Sequence, residues 1–68
     1  MKKYRLKKIR TVEMIAGKSI TDISKEVHIE RSYLSQIISR KRYCSGVVAY
    51  ALSMYKGKDI EYFFDEEN

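Results

Sequence analysis

The sequence predicts an all-α domain, a compact bundle of about five short helices. A chain of 68 residues has room for one small core and excludes two-domain enzymes. Apolar residues recur at spacings of three or four, and there is no proline. Glycines at positions 17, 46 and 57 separate or flank these periodic stretches. We place the domain at residues 1–64 and expect residues 65–68 to form an acidic, solvated tail.

The first periodic stretch predicts a helix from Tyr4 to Ala16, ended by Gly17. We expect its buried face to contain Leu6, Ile9, Val12 and either Ile15 or Ala16. The opposite face carries Lys7, Lys8 and Arg10, which suit either a solvated surface or contact with phosphate.

Two further helices occupy the centre of the chain. Ser19, followed three residues later by Asp22, is a variant of the capping box and predicts a helix over residues 20–27. Its inward residues are Ile20, Ile23 and Val27. After His28 and Ile29 we predict a third helix, Arg31 to Ser39. It buries Leu34, Ile37 and Ile38 and exposes Arg31, Ser32, Ser35, Gln36 and Ser39.

The C-terminal third predicts one helix and a final turn. Ser45 is a suitable N-cap for a helix over residues 46–55, which Gly57 ends. The predicted inward face of this helix comprises Val48, Ala51, Leu52 and Tyr55. A last turn over residues 59–64 covers the core with Ile60, Phe63 and Phe64.

Charge is distributed unevenly along the chain. The net charge is +5, but residues 1–58 carry all 14 basic side chains and four acids, a balance of +10. Residues 59–68 carry five acids and no base. A body this basic favours nucleic acid as the partner over an anionic membrane, although the same charge also serves plain solubility. The acidic segment 65–67 is either solvated or competes with DNA for the basic face.

A single cysteine, Cys44, excludes an internal disulfide. The N-terminus has no signal-like or membrane-length apolar run, so we expect a reducing cytoplasmic setting, that of the bacterial cytoplasm and nucleoid. With one histidine, His28, and one cysteine we expect no metal site, no cofactor and no catalytic Cys/His pair. We interpret Cys44 as a packing residue. The alternative is redox sensing by a thiol whose pKa is lowered by the neighbouring Arg42 and Lys41.

The central segment has the proportions of a helix-turn-helix, whose second helix lies in the DNA major groove. Residues 19–38 resemble the helix-turn-helix of the phage lambda repressor and Cro family, also called Xre-like regulators. The family pattern of apolar, small, turn, apolar, cap, apolar and serine residues is matched by Ile23, Ser24, His28, Ile29, Glu30, Leu34 and Ser35. The resemblance extends to Leu6, Ile9 and Arg10 in the first helix and to residues 49–52 and 60–64 in the last two.

Three positions depart from the family pattern. Ser24 replaces alanine, which the helix tolerates. His28 replaces the turn glycine and must therefore adopt a positive φ. Glu30 replaces the capping serine and would repel phosphate unless it accepts a hydrogen bond from a cytosine amino group. The connection between the first two helices is also longer than usual, and the fourth helix is shorter.

The resemblance implies a set of DNA-contacting residues. The base-reading positions fall on Arg31, Ser32 and Gln36, with Tyr33 beside a thymine methyl group or a phosphate. These residue types suit guanine, adenine and mixed base edges. Phosphate contacts would come from Ser19, Thr21, Arg40, Lys41, Arg42 and Tyr43. Whether Lys3, Lys7 and Lys8 touch DNA stays open.

We also expect a two-fold homodimer, because one such domain recognises only a few base pairs. Apolar surface beyond what the core requires is predicted at Val47, Tyr50, Met54, Tyr62 and Phe64. The alternative is a monomer that dimerises only on DNA, with Phe63 and Phe64 both turned inward.

Three function classes compete. The first is a sequence-specific transcriptional regulator, a repressor of phage or mobile-element type that binds a double-stranded DNA operator. The second is a helix-turn-helix adaptor that binds a protein, such as an antitoxin or a phage-encoded inhibitor. A small enzyme is third, and we expect neither catalysis nor a small-molecule substrate.

Overall fold

The two ends of the chain pair as an antiparallel sheet. The computed structural model describes residues 1–68. Strand β1, Lys3–Leu6, pairs with strand β2, Phe64–Glu67, so that Lys3 lies opposite Glu67 and Leu6 opposite Phe64. The prediction of a helix that begins at Tyr4 was therefore wrong. The acidic residues after Phe64 form a strand, and their side chains are exposed to solvent as predicted. Because side chains alternate along a strand, Leu6 faces the core while the charged neighbours face outward.

A short helical segment follows β1. A 3-10 turn, Lys8–Arg10, leads into α1, Thr11–Ile15. Ile9 and Val12 are 80% and 78% exposed, so these two predicted inward residues were wrong. Leu6 is buried and Ile15 packs against the core, as predicted. Once the chain leaves β1 as a strand, the helical phase starts later, and the buried side chain of α1 is Met14.

The two central helices match their predicted bounds within one residue. They are α2, Ile20–Val27, and α3, Arg31–Ile38. Ser19 Oγ accepts the N–H of Asp22 at 3.1 Å, as expected of the cap. His28 has φ 59°, the left-handed conformation that the missing glycine requires.

The turn between α2 and α3 is also held by side chains. Ser24 Oγ donates to the Ile29 carbonyl at 2.6 Å, which ties the end of α2 to the turn. Glu30 is the N-cap of α3 and accepts the N–H groups of Ser32 and Tyr33 at 2.8 and 2.9 Å. The departures at positions 24 and 30 therefore stabilise the turn.

Helix α4, Gly46–Tyr55, is capped by Ser45 as predicted, and α5, Ile60–Phe63, follows the turn at Gly57. The buried residues of α4 are Ala49, Leu52 and Ser53. Of the predicted inward residues only Leu52 is fully buried, and Val48, Ala51 and Tyr55 are half-buried. A Cβ at Gly46 would lie 3.2 Å from the Tyr4 ring, so a side chain there would require the ring to shift by a few tenths of an ångström.

One core joins the helices to the sheet. Its members come from every helix and both strands: Tyr4, Leu6, Met14, Ile23, Leu34, Ile37, Ile38, Cys44, Ala49, Leu52, Phe63 and Phe64. The architecture is a small helical domain with a short two-stranded sheet. None of its helices has the length and apolar composition needed to cross a bilayer.

Candidate nucleic-acid interface

The outer face of α3 carries the residues predicted to contact bases. Leu34, Ile37 and Ile38 are buried and fix how the helix is rotated against the core. The opposite side therefore exposes Arg31, Ser32 and Gln36, while Tyr33 is half-buried at its border. The structure thus places these side chains on one solvent-facing surface, which we call the α3 face.

Arg31 is positioned by the preceding helix. Its Nε donates to Thr21 Oγ1 at 2.8 Å, which links the first residue of α3 to the first turn of α2. The two Nη groups form no hydrogen bond within the chain. The guanidinium is thus held by one edge while its remaining donors face solvent.

Gln36 and Tyr33 share a contact with Arg42. The Arg42 guanidinium lies 4.8 Å from the centre of the Tyr33 ring, and its Nη1 lies 3.5 Å from Gln36 Oε1. Gln36 is exposed, and its amide nitrogen has no hydrogen-bond partner in the chain. Arg42, predicted as a phosphate contact, therefore also orients a residue of the α3 face.

Arg40 has a structural role that the sequence did not indicate. It ends α3 at φ 63°, and its Nε donates to the Leu6 carbonyl at 2.8 Å. This bond holds the C-terminus of α3 against β1. The Nη groups of Arg40 have no hydrogen-bond partner in the chain, so its contact with phosphate stays a prediction. Lys41 is exposed and its ammonium has no partner in the chain.

The Tyr43 hydroxyl is already paired with a carboxylate of the chain. Its hydroxyl donates to Glu67 Oε1 at 2.9 Å, and this hydrogen bond is the main cause that raises the pKa of Tyr43. Lys3 Nζ and the Arg5 guanidinium lie 4.4 and 4.1 Å from the centre of its ring. Sequence reasoning missed Lys3 and Arg5 as a pair, although their alternation with Tyr4 and Leu6 was the available signal.

The carboxylate of Glu30 is engaged by its own helix. Hydrogen bonds from the backbone of Ser32, and then of Tyr33, lower the pKa of Glu30. Its negative charge therefore lies at the positive end of the α3 dipole. At the start of α2, Ser19 acts as a cap, and Thr21 is the acceptor for Arg31.

The predicted dimer surface is only partly exposed. Val47, Tyr50 and Met54 are 80%, 58% and 53% exposed and follow one side of α4. Phe64 is buried in the core, so its assignment to an interface was wrong. Tyr62 is half-buried, donates to Glu13 at 2.7 Å and lies against the Arg10 guanidinium. We call Val47, Tyr50 and Met54 the α4 stripe.

Cys44 belongs to the core. Its backbone forms an isolated β-bridge with Tyr4, and burial raises the pKa of its thiol to about 11. The alternative of a lowered thiol pKa was wrong, because burial in apolar surroundings outweighs the basic neighbours. The interpretation of Cys44 as a packing residue fits this environment.

No protein-family model, no curated protein and no solved structure matches the chain. The molecule is a small helical domain with a two-stranded sheet.

Proposed function

We propose that the protein is a sequence-specific, double-stranded DNA-binding transcriptional regulator whose helix α3 enters the major groove. The observation that carries the proposal is the α3 face, where Arg31 and Gln36 are exposed and each is oriented by a neighbouring side chain. A solvated surface has no need of such orientation, but contact with a base edge does.

The proposed architecture is that of the lambda repressor and Cro family. The left-handed His28 between α2 and α3 and the cap at the start of each helix support this assignment. The β1–β2 sheet is an addition to the helices that the resemblance implies. In this arrangement α2 supports α3 across the DNA backbone.

The chemistry of the α3 face suits base edges. Arg31 has two free Nη groups, which match O6 and N7 of guanine. Gln36, with its oxygen near Arg42, presents amide donors to acceptor edges such as those of guanine or of thymine O4. Lys41 and Arg42, just beyond α3, supply positive charge for the adjacent phosphates.

The test is selection of binding sites from a pool of random duplexes, followed by affinity measurements on the selected and a scrambled site. We expect a defined preferred site, and a loss of about 1–3 kcal/mol on it for Arg31→Ala or Gln36→Ala, with little change on scrambled DNA. Lys58→Ala, which removes one charge in the turn after α4, is the matched control and should keep the preference.

Salt dependence provides a second readout. If about four to eight phosphates are neutralised, the logarithm of affinity falls with that of salt at roughly −0.9 per phosphate. A pool that yields no preferred site, or α3 variants that keep the wild-type preference, would refute the proposal.

We further propose that two copies bind as a two-fold dimer through the α4 stripe. Helix α4 has no charged residue in ten positions, and its outward side is as apolar as its inward side. A helix that is apolar all round is normally covered. The domain is 30 Å long, which is compatible with two α3 helices about one DNA turn, roughly 34 Å, apart. The same stripe favours the second candidate function, an adaptor for a protein partner.

A further inference from the structure

A second group of cations lies on the β1–β2 sheet and belongs to strand β1, not to α3. Lys3 and Arg5 are on the outward side of β1, and both lie over the ring of Tyr43. Arg5 Nε is buried and has no hydrogen-bond acceptor. We call Lys3, Arg5 and Tyr43 the β1 cluster.

The β1 cluster already has an anion beside it. Glu67 lies opposite Lys3 in the β1–β2 ladder, and its carboxylate accepts the Tyr43 hydroxyl at 2.9 Å. Asp65 lies opposite Arg5 in the same ladder. Neither cation forms an ion pair with these acids. The ion pair on this sheet joins Lys2 to Glu66. The carboxylates are near the two cations without saturating them.

This donor set suits a phosphate group. Two cations and a phenolic hydroxyl can donate charge-assisted hydrogen bonds to phosphate oxygens. Of these three groups, only the Tyr43 hydroxyl donates to Glu67. A phosphate also carries more acceptor oxygens than the single carboxylate oxygen that Tyr43 contacts. Tyr43 directly follows Lys41 and Arg42, so the cluster adjoins the predicted phosphate contacts of α3.

We propose that the β1 cluster is a second phosphate-binding surface for nucleic acid, and that the carboxylates of Glu67 and Asp65 compete with phosphate for it. That its natural ligand is duplex DNA rests on the proposed function. The acidic strand then acts as an internal competitor. It weakens binding to DNA of any sequence and leaves discrimination to the α3 face.

The test compares two variants with the same gain of charge. Asp65→Asn/Glu67→Gln removes the competitor while the backbone ladder and Glu66 stay. Asp59→Asn/Glu61→Gln is the matched control, because Asp59 makes no side-chain capping bond and the Glu61 side chain is exposed. The probe is a labelled random-sequence duplex of 20 base pairs. Its affinity for each variant is measured by fluorescence anisotropy at low and at physiological salt.

We expect the first variant to bind the duplex roughly tenfold more tightly, with a salt slope steeper by about one to two phosphates. The control should gain less than about threefold at an unchanged slope, as expected of net charge alone. Adding Lys3→Gln or Tyr43→Phe to the first variant should remove the gain. Equal gains in the two variants would overturn the proposal.

Two further experiments test the proposal if the double variant does not fold or if the proposed function is wrong. If circular dichroism shows that the double variant is unfolded, Glu67→Gln alone replaces it and must give a gain of at least threefold. In the Arg31→Ala/Gln36→Ala background, with heparin as the polyanion, the gain should persist. Absence of a preferred DNA site in the wild type would refute the α3 assignment, whereas loss of the heparin gain would refute the β1 cluster.

Discussion

The exposed sides of α3 and α4 differ in how their residues are held. On α3, Arg31 is bound to Thr21 and Gln36 lies against Arg42, so polar groups point in set directions. On α4, Val47, Tyr50 and Met54 have no polar partner and present apolar surface to solvent. Oriented donors suit a ligand with a defined hydrogen-bond pattern, whereas an uncharged stripe suits another apolar surface.

The largest expected effect is a difference in the free energy of unfolding between substitutions on the buried and on the exposed side of α4. Leu52→Ala empties space in the core and should lower the free energy of unfolding by about 2–5 kcal/mol, enough to unfold most of so small a domain. Met54→Ala, two positions along on the exposed stripe, should change it by less than about 0.5 kcal/mol in the monomer. Urea titration at low protein concentration measures both. Similar losses would mean that the stripe is part of the core.

The second prediction concerns self-association through the α4 stripe. Val47→Glu places two like charges at the proposed two-fold contact and should raise the dimer dissociation constant at least about tenfold, or about 1.4 kcal/mol. Val12→Glu is a matched control, since Val12 is 78% exposed and Val47 80%. Sedimentation at tens of micromolar measures the effect. A wild type that sediments only as the 8.1 kDa species, with a footprint lacking two-fold symmetry, would contradict the dimer.

The third prediction tests whether Thr21 positions Arg31. Thr21→Ala removes the acceptor of the Arg31 Nε and should weaken binding to the preferred site by about 0.5–1.5 kcal/mol more than binding to scrambled DNA. Thr21→Ser restores the hydroxyl and should restore the preference. If alanine and serine behave alike in the anisotropy titration, the contact does not position Arg31.

The smallest expected effect is on the pH dependence of stability. The pKa of Glu30 is lowered from its ordinary 4.5 by backbone hydrogen bonds, so its contribution is present above pH 4.5 and is lost as pH falls through the lower folded-state pKa. The melting temperature of the wild type should exceed that of Glu30→Gln at pH 7, and the difference should narrow below pH 4.5. Thermal melts from pH 7 to 3 measure this. Glu61→Gln, whose side chain caps nothing, should show no such narrowing.

The centre of the chain was predictable because its signals act over a few residues. Ser19 caps the helix that starts next to it, and the spacing of Leu34, Ile37 and Ile38 sets the buried side of α3. The need for a positive φ at His28 also followed from the pattern around it. The exposure of the α3 face could therefore be predicted, although its use in DNA binding stays a prediction.

The N-terminal segment was not predictable in the same way. Leu6, Ile9 and Val12 have helical spacing, yet Leu6 is in a strand and the other two are exposed. The alternation of Lys3, Tyr4, Arg5 and Leu6 is equally compatible with a strand, but four residues are too short to decide between the periods. The partner strand lies about sixty residues away along the chain, beyond the reach of any local signal.

Local chemistry along the chain was enough to set the bounds of α2, α3 and α4, their caps, and the absence of charge on α4. Folding brought residues from distant positions together: Glu67 onto Tyr43, Arg40 onto the Leu6 carbonyl, and Phe64 into the core. The physical reason is the distance along the chain over which each kind of interaction acts. Caps and helical periodicity depend on neighbours within about four residues, whereas strand pairing and side-chain contacts between elements depend on how the whole chain packs.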